Sequence, residues 1–219
     1  MDLGTINGWL DRRVRDSSLE TYFTDWVNIA INNIANDFAL PALKLKEPEE
    51  LDITESDWLY DLPSTYMKGL FKCYDSNYDK ITIHRSLNDI DNLDIDHDDT
   101  GDNVTDVAVR DTQIGVYPMA DETIYIWFYE KPTALSDDAD EPECIPSQYH
   151  YRVIISRVVV ENYQLIMDMS VNPPHQSLEW WRARYREGLF GEPGGDIGMI
   201  NCFARERKPK RRGGKCPLP

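Results

Sequence analysis

The sequence predicts an α+β fold: a helical bundle built from the N- and C-terminal helices, an antiparallel β domain inserted between them, and an extended C-terminal arm. Three observations predict it. Apolar residues recur at helical spacing near both ends of the chain, within residues 5–38 and 147–190. Between them, residues 69–129 alternate with period two, as half-buried strands do. The last stretch is basic and too poor in apolar side chains to bury a core of its own. The expected division is therefore residues 1–45 for the first helices, 46–146 for the β-rich insert with its acidic loops, 147–190 for the late helices and 191–219 for the arm.

Residues 5–15 predict a short helix, with Ile6, Trp9, Leu10 and Val14 on one face. The next helix carries the clearer signal. Ser17 and Glu20 fit a capping box, in which each side chain satisfies an unpaired backbone N–H of the first turn. Leu19, Tyr22, Phe23, Trp26, Ile29, Ala30, Ile34 and Phe38 follow as its buried stripe, with Asn28, Asn32, Asn33 and Asn36 opposite. Pro41 stops it.

Residues 44–61 read as acidic and irregular, and lead into Leu62-Pro63-Ser64-Thr65-Tyr66. Strands are then expected at 69–74, 80–85, 104–109, 113–117 and 123–129. The last is apolar on both faces, as a central strand would be. Met119-Ala120-Asp121-Glu122 is expected to turn the final two into a hairpin. An aspartate-rich loop over residues 89–106 is expected to be solvated and mobile.

Residues 147–169 have strand propensity in Val153-Ile154-Ile155 and Val158-Val159-Val160, yet run too long without a turn signal for one strand. A buried helix is the better reading, since burial overrides the modest penalty of β-branched residues. A further helix is expected over 175–190, opened by Pro173-Pro174 and closed at Gly191, with Leu178, Trp181, Tyr185 and Leu189 inward. Neighbours on a helix lie about 100° apart, so Trp180 cannot share the face of Trp181. It either packs against the insert or stands as an interface anchor, a role in which Trp is enriched.

Charge is unevenly spread. The 219 residues carry −16, but the segment from Arg205 onward carries +6 and the rest −22. A body this acidic repels nucleic acid, which needs Lys or Arg at its phosphates. Six Trp and twelve Tyr argue for a folded chain. The N-terminus lacks the apolar stretch of a signal peptide. The longest apolar run, Ile124 to Tyr129, is far short of the roughly 18 residues that span a bilayer. A soluble protein inside the cell is expected, with Cys73, Cys144, Cys202 and Cys216 as reduced thiols, since no CxxC pair is present.

The sequence offers little catalytic chemistry. The run from Asp94 to Gly101 resembles the start of an EF-hand loop, but the glycine comes late and the distal glutamate is missing, so no metal site is expected. His84, His97, His150 and His175 are isolated. No GxSxG, P-loop or GxGxxG occurs. No enzymatic activity and no cofactor are expected. The basic run through Lys208-Pro209-Lys210-Arg211-Arg212 fits a nucleic-acid contact, a nuclear signal, a solvated end or a segment that orders in an acidic groove.

Four stretches stand in a telling order: Trp9-Leu10-Asp11 with the helix to Phe38; Leu62-Pro63-Ser64-Thr65-Tyr66; Phe128-Tyr129-Glu130-Lys131-Pro132 with Ala134-Leu135-Ser136-Asp137-Asp138; and Glu179-Trp180-Trp181-Arg182-Ala183-Arg184-Tyr185. Together they resemble the head-to-tail adaptor (connector) proteins of tailed bacteriophages, short-tailed ones especially. The likeness covers residues 5–190; the aspartate loop and the chain from Gly191 onward lie outside it. It implies a structural virion protein of the neck, assembled in the host cytoplasm. Twelve copies would form a ring beneath the portal, extending the DNA channel used in genome ejection and giving tail or nozzle proteins a place to attach. Double-stranded DNA would pass without sequence-specific binding, and no membrane is involved. By the same resemblance the arm grips the portal, which makes Arg205, Arg207, Lys208, Lys210, Arg211, Arg212 and Lys215 the expected portal-binding residues; Trp180 is a candidate interface residue on its helix geometry alone. Twelve arms engaged together would multiply a weak contact through effective concentration. The competing readings are another neck or tail-completion protein, and a nucleic-acid-binding protein that uses the basic tail. The weakest is a carboxylate hydrolase.

Overall fold

A computed structural model describes residues 1–169, 176–192 and 197–206. In chain order the described elements are α1 (Leu3–Val14), α2 (Glu20–Asp37), β1 (Glu49–Ile53), β2 (Leu59–Asp61), β3 (Tyr66–Tyr74), β4 (Thr82–His84), α3 (Leu87–Asp91), β5 (Asp106–Arg110), β6 (Gln113–Tyr117), β7 (Glu122–Glu130), α4 (Ser156–Met169), α5 (Leu178–Phe190) and α6 (Met199–Glu206). They fall into two compact units. A helical unit joins Met1–Ala42 to the chain from Pro132 onward, and a β unit comprises Leu43–Lys131. The class is α+β, with helices from both ends of the sequence packed together as the periodicity predicts.

In the helical unit α1 starts at Asp2, whose Oδ1 accepts the Thr5 N–H at 2.7 Å, and buries Leu3, Ile6, Leu10 and Val14. The capping box expected of Ser17 is not where α2 starts, because the N-cap of that helix lies two residues further on. A 3₁₀ turn over Ser17–Leu19 comes first, so Leu19 becomes the N-cap and has no side-chain cap bond. Asp16 holds the turn instead, its Oδ1 accepting from the Ser18 N–H at 2.9 Å and the Ser18 hydroxyl at 2.6 Å. The buried face of α2 is also rotated from the one expected. Val27, Ile31 and Ala35 are buried beside Phe23, Trp26, Ala30 and Ile34, while Tyr22 and Ile29 are about half exposed.

Residues 147–169 are helical throughout, which settles the strand-or-helix ambiguity for helix. The segment begins with a 3₁₀ turn and a π-helical stretch, His150–Ile155, before α4 proper. Val153, Ile154, Ile155, Val158, Val159 and Ile166 are buried, but Leu165 and Met169, expected on the same stripe, are exposed. Helix α5 is capped by Ser177, whose Oγ accepts the Trp180 N–H, and ends at Gly191 with φ 88°. The π-helical stretch meets α5 very closely at Gly188. A Cβ there would lie 2.9 Å from both Arg152 Cβ and Val153 Cγ2, so only glycine allows the approach. Residues 199–206, within the stretch read as arm, form α6, which packs on α5 and buries Met199 and Cys202.

The β unit holds two sheets, ordered β1-β7-β3 and β2-β6-β5-β4. Their inner faces share one core, which includes Ile53, Cys73, Ile81, Val107, Ile114, Val116, Ile124, Ile126 and Phe128. The 123–129 strand is central, as its composition predicts. Four expectations are corrected. Residues 44–61 are not irregular but supply β1 and β2. Strands β6 and β7 are not a hairpin, because they belong to different sheets. The backbone of Met119, expected in the turn, bonds instead with Asp99 and Gly101. One pair, β4 with β5, is parallel in an otherwise antiparallel insert. Finally, the aspartate-rich loop contains α3, started by a Ser86–Asp89 capping box and anchored by buried Leu87 and Ile90.

Candidate functional site

The residues nominated from sequence divide sharply. Trp180 is 41% exposed and meets Trp181 edge-on, with ring centroids 4.8 Å apart, while Trp181 is fully buried. The two neighbours therefore face a surface and a core, as helix geometry requires. Arg205 lies in the last turn of α6. Arg207, Lys208, Lys210, Arg211, Arg212 and Lys215 lie outside the described residues.

The aspartate loop gathers Asp94, Asp98 and Asp99, with one carboxylate oxygen of each within 4.8 Å of the others. Asp94 is committed to the backbone: its carboxylate accepts the N–H groups of Asp96, His97 and Asp99. These bonds, that from Asp99 foremost, hold its pKa below the usual carboxylate value. His97 stacks flat on Trp58 at 3.7 Å and lies 3.2 Å from Asp91. His84 Nε2 is 2.7 Å from Asp106.

His150 differs from these. It is 1% exposed, with Nε2 at 2.5 Å from the Ile145 carbonyl and Nδ1 at 3.1 Å from that of Met1. Burial pushes its pKa down. Close by, the Leu3 and Gly4 N–H groups donate to the Asp140 and Asp138 carbonyls, so the start of α1 is stitched to the chain that re-enters the helical unit. An open groove of about 560 Å³ runs along α1 beside that seam, lined by Asp2, Gly4, Thr5, Gly8, Trp9, Arg12, Asp138 and Ala139. Cys73 and Cys144 are free and buried, and burial pushes each thiol up to about 12. Cys202 is disulfide-bonded, so among the described cysteines the expectation of reduced thiols holds for Cys73 and Cys144 and fails for Cys202, while Cys216 lies outside the described residues.

The surface missed from sequence lies on the outer side of the sheet β1-β7-β3. Along β7, Ile124, Ile126 and Phe128 point into the core, leaving Tyr125, Trp127 and Tyr129 on the other face. Tyr78 stacks on Tyr125 at 5.1 Å, Tyr74 meets Trp127 edge-on at 5.6 Å, and Phe71 meets Tyr129 edge-on at 5.5 Å. Lys72 Nζ sits 5.4 Å from the Trp127 ring centre and Lys44 Nζ 4.1 Å from that of Phe71. The available signal was the alternation within Ile124 to Tyr129, where every second residue is a Tyr or Trp with a polar handle. Aromatic rings and lysine side chains thus share one amphipathic face of this sheet.

The profile of the SU10 adaptor protein family matches residues 2–196. No curated protein matches the chain.

Proposed function

Because the chain belongs to the SU10 adaptor protein family, a family of phage head-to-tail adaptors, we propose that it forms a ring beneath the portal in the neck of the virion. There it extends the DNA channel and offers tail or nozzle proteins their attachment. The observation that carries this reading is the build of the chain: a helical unit closed by both ends of the sequence, with a β unit inserted between. The charge fits as well. An acidic body does not retain duplex DNA, and a +6 segment at the end suits an acidic groove on a neighbour. On this reading twelve copies engage the portal through Arg205, Arg207, Lys208, Lys210, Arg211, Arg212 and Lys215, and the work is structural, not catalytic.

Co-sedimentation with portal rings tests it. Since α6 packs on α5, the informative truncation falls after Glu206, which removes six of the seven basic residues and leaves that helix, with Arg205, in place. Binding by the full chain and its loss on truncation are expected. Equal binding by both would keep the adaptor and remove the basic end from the contact. No binding by either would overturn the portal contact itself.

A further inference from the structure

The outer face of the sheet β1-β7-β3 is charged at two opposite corners. Lys72 pairs in register with Trp127 on the β3 side, and Lys44, whose backbone bridges to Tyr129 on the β1 edge, carries its Nζ over the Phe71 ring of β3. Glu50 and Asp52 lie on the β1 side, opposite Tyr125 and Thr123 at the other end of β7. Asp52 accepts the Thr123 hydroxyl at 2.7 Å, and Lys72, Glu50 and Asp52 are all exposed. Between the corners runs the aromatic band, whose outermost ring, Tyr78, is 66% exposed. Half-buried Tyr and Trp side chains held by stacking cost little further entropy to immobilise, and such residues dominate contact energetics.

We propose that this face is a contact between two copies of the chain, laid sheet against sheet. The charge arrangement selects the occupant, because the patch is its own complement. A half-turn about an axis parallel to the sheet, midway between the two copies and perpendicular to the diagonal that joins the corners, brings the lysines of one copy over the carboxylates of the other. It also presses the two aromatic bands together at the usual sheet-stacking distance of about 10 Å. Such an interface is isologous, with Lys72 of each copy meeting Glu50 of the other. The contact concerns free copies of the protein and does not depend on the ring, so the portal experiment can fail while this one succeeds, or the reverse.

Sedimentation of the full chain across a concentration series is the test. The wild-type chain should dimerise. Lys72→Glu and Glu50→Lys each place like charges at the corners and should raise the dissociation constant about tenfold or more. In an equimolar mixture the Lys72→Glu side chain of one variant meets the Glu50→Lys side chain of the other, and the native Glu50 meets the native Lys72, so the mixture should recover wild-type affinity. Trp127→Ala should weaken association at least as much as either charge change. Circular dichroism of each variant checks that the fold is kept. A wild-type chain that stays monomeric throughout overturns the proposal, as do variants that associate like the wild type, or a mixture that fails to recover.

Discussion

The helical unit and the β unit use their polar side chains over different spans of the chain. In the helical unit they pin the backbone from within. Asn28 Nδ2 donates to the Leu135 carbonyl and its Oδ1 accepts the Leu135 N–H, both at 2.9 Å. Arg13 reaches Tyr151 at 2.7 Å, and His150 lies between two carbonyls. Residues more than a hundred positions apart are joined this way, which is what a unit assembled from two chain segments needs. The β unit is continuous in sequence, and its sheets are stitched by their own ladders. Its polar side chains hold backbone nearer in sequence, as Asp94 does the N–H groups of Asp96, His97 and Asp99 and buried Asp75 those of Asn77 and Asp79. The charged corners and the ring band lie at the surface. One unit thus shows how the fold is closed, and the other where it can be met.

The largest effects should come from breaking each core separately. Trp181→Ala empties the centre of the helical unit and Phe128→Ala that of the β unit, each costing about 3–5 kcal/mol. Each unit also carries its own buried thiol, Cys144 in the helical unit and Cys73 in the β unit. Pulse labelling with a thiol reagent, read by peptide mass spectrometry, should show Cys144 labelled about a hundredfold faster or more in Trp181→Ala, with Cys73 little changed. Phe128→Ala should reverse the pattern. Equal acceleration of both thiols in both variants would mean that the units open as one, and the contrast between them would not extend to stability.

Asn28→Ala comes next. It leaves the Leu135 N–H and carbonyl without their side-chain partner in a partly buried place, at a cost of about 2–3 kcal/mol for the pair of bonds. Asn28→Asp keeps the acceptor and loses the donor, so its melting temperature should fall between the two. A drop for Asn28→Ala as small as that of an exposed substitution would show that the pin contributes little.

How much of this was legible follows from which forces leave a local trace. Helices were readable because burial repeats every three or four residues, and even the β-branched run at Val153 was correctly helical. The rotation of α2 was not readable, since Val27 and Ile31 are as apolar as Tyr22 and Ile29, and only the neighbouring elements decide which pair is covered. Strand β1 was missed because Glu49, Glu50 and Asp52 make it look like a loop, although charges are what an exposed edge strand carries. Sheet membership left no trace: Met119 to Glu122 is short enough to turn a hairpin, and only the bonds of Met119 to Asp99 and Gly101 show otherwise. Of the candidate site, Trp180 could be assigned to the surface from helix geometry alone. The aromatic platform could not, because it combines three segments whose register is a property of the fold.

A smaller effect is a dependence on pH, confined to the helical unit. Burial depresses the folded-state pKa of His150 below its usual 6.5, so the unfolded chain binds the proton more readily. Stability from this group is fully present above about pH 6.5 and is lost as the pH falls from there through the folded-state value. Denaturant midpoints measured between pH 7.5 and 5 should decline in the wild type and decline less in His150→Gln. Cys144 labelling is taken relative to a freely exposed thiol at each pH, which removes the common loss of thiolate in acid. It should then rise as the pH falls while Cys73 labelling so corrected should not, which repeats the contrast between the units by a route that alters no core volume.

The smallest expected change in stability belongs to Trp180→Ala, and it sharpens the comparison within a single helix. Trp180 and Trp181 are consecutive, yet one is 41% exposed and the other fully buried. Removing Trp180 forfeits an edge-on ring contact, worth about 0.5–1.5 kcal/mol beyond area, and some partly covered surface. It opens no cavity, so its melting temperature should fall by only a small fraction of the Trp181→Ala drop. The two should separate again in co-sedimentation with portal rings at a temperature where both variants are folded. An interface role for Trp180 predicts weaker binding by Trp180→Ala despite its near-normal stability. Unchanged binding would assign Trp180 to covering Trp181, and would leave the chain beyond α6 and the platform of the β unit as the contact surfaces proposed above.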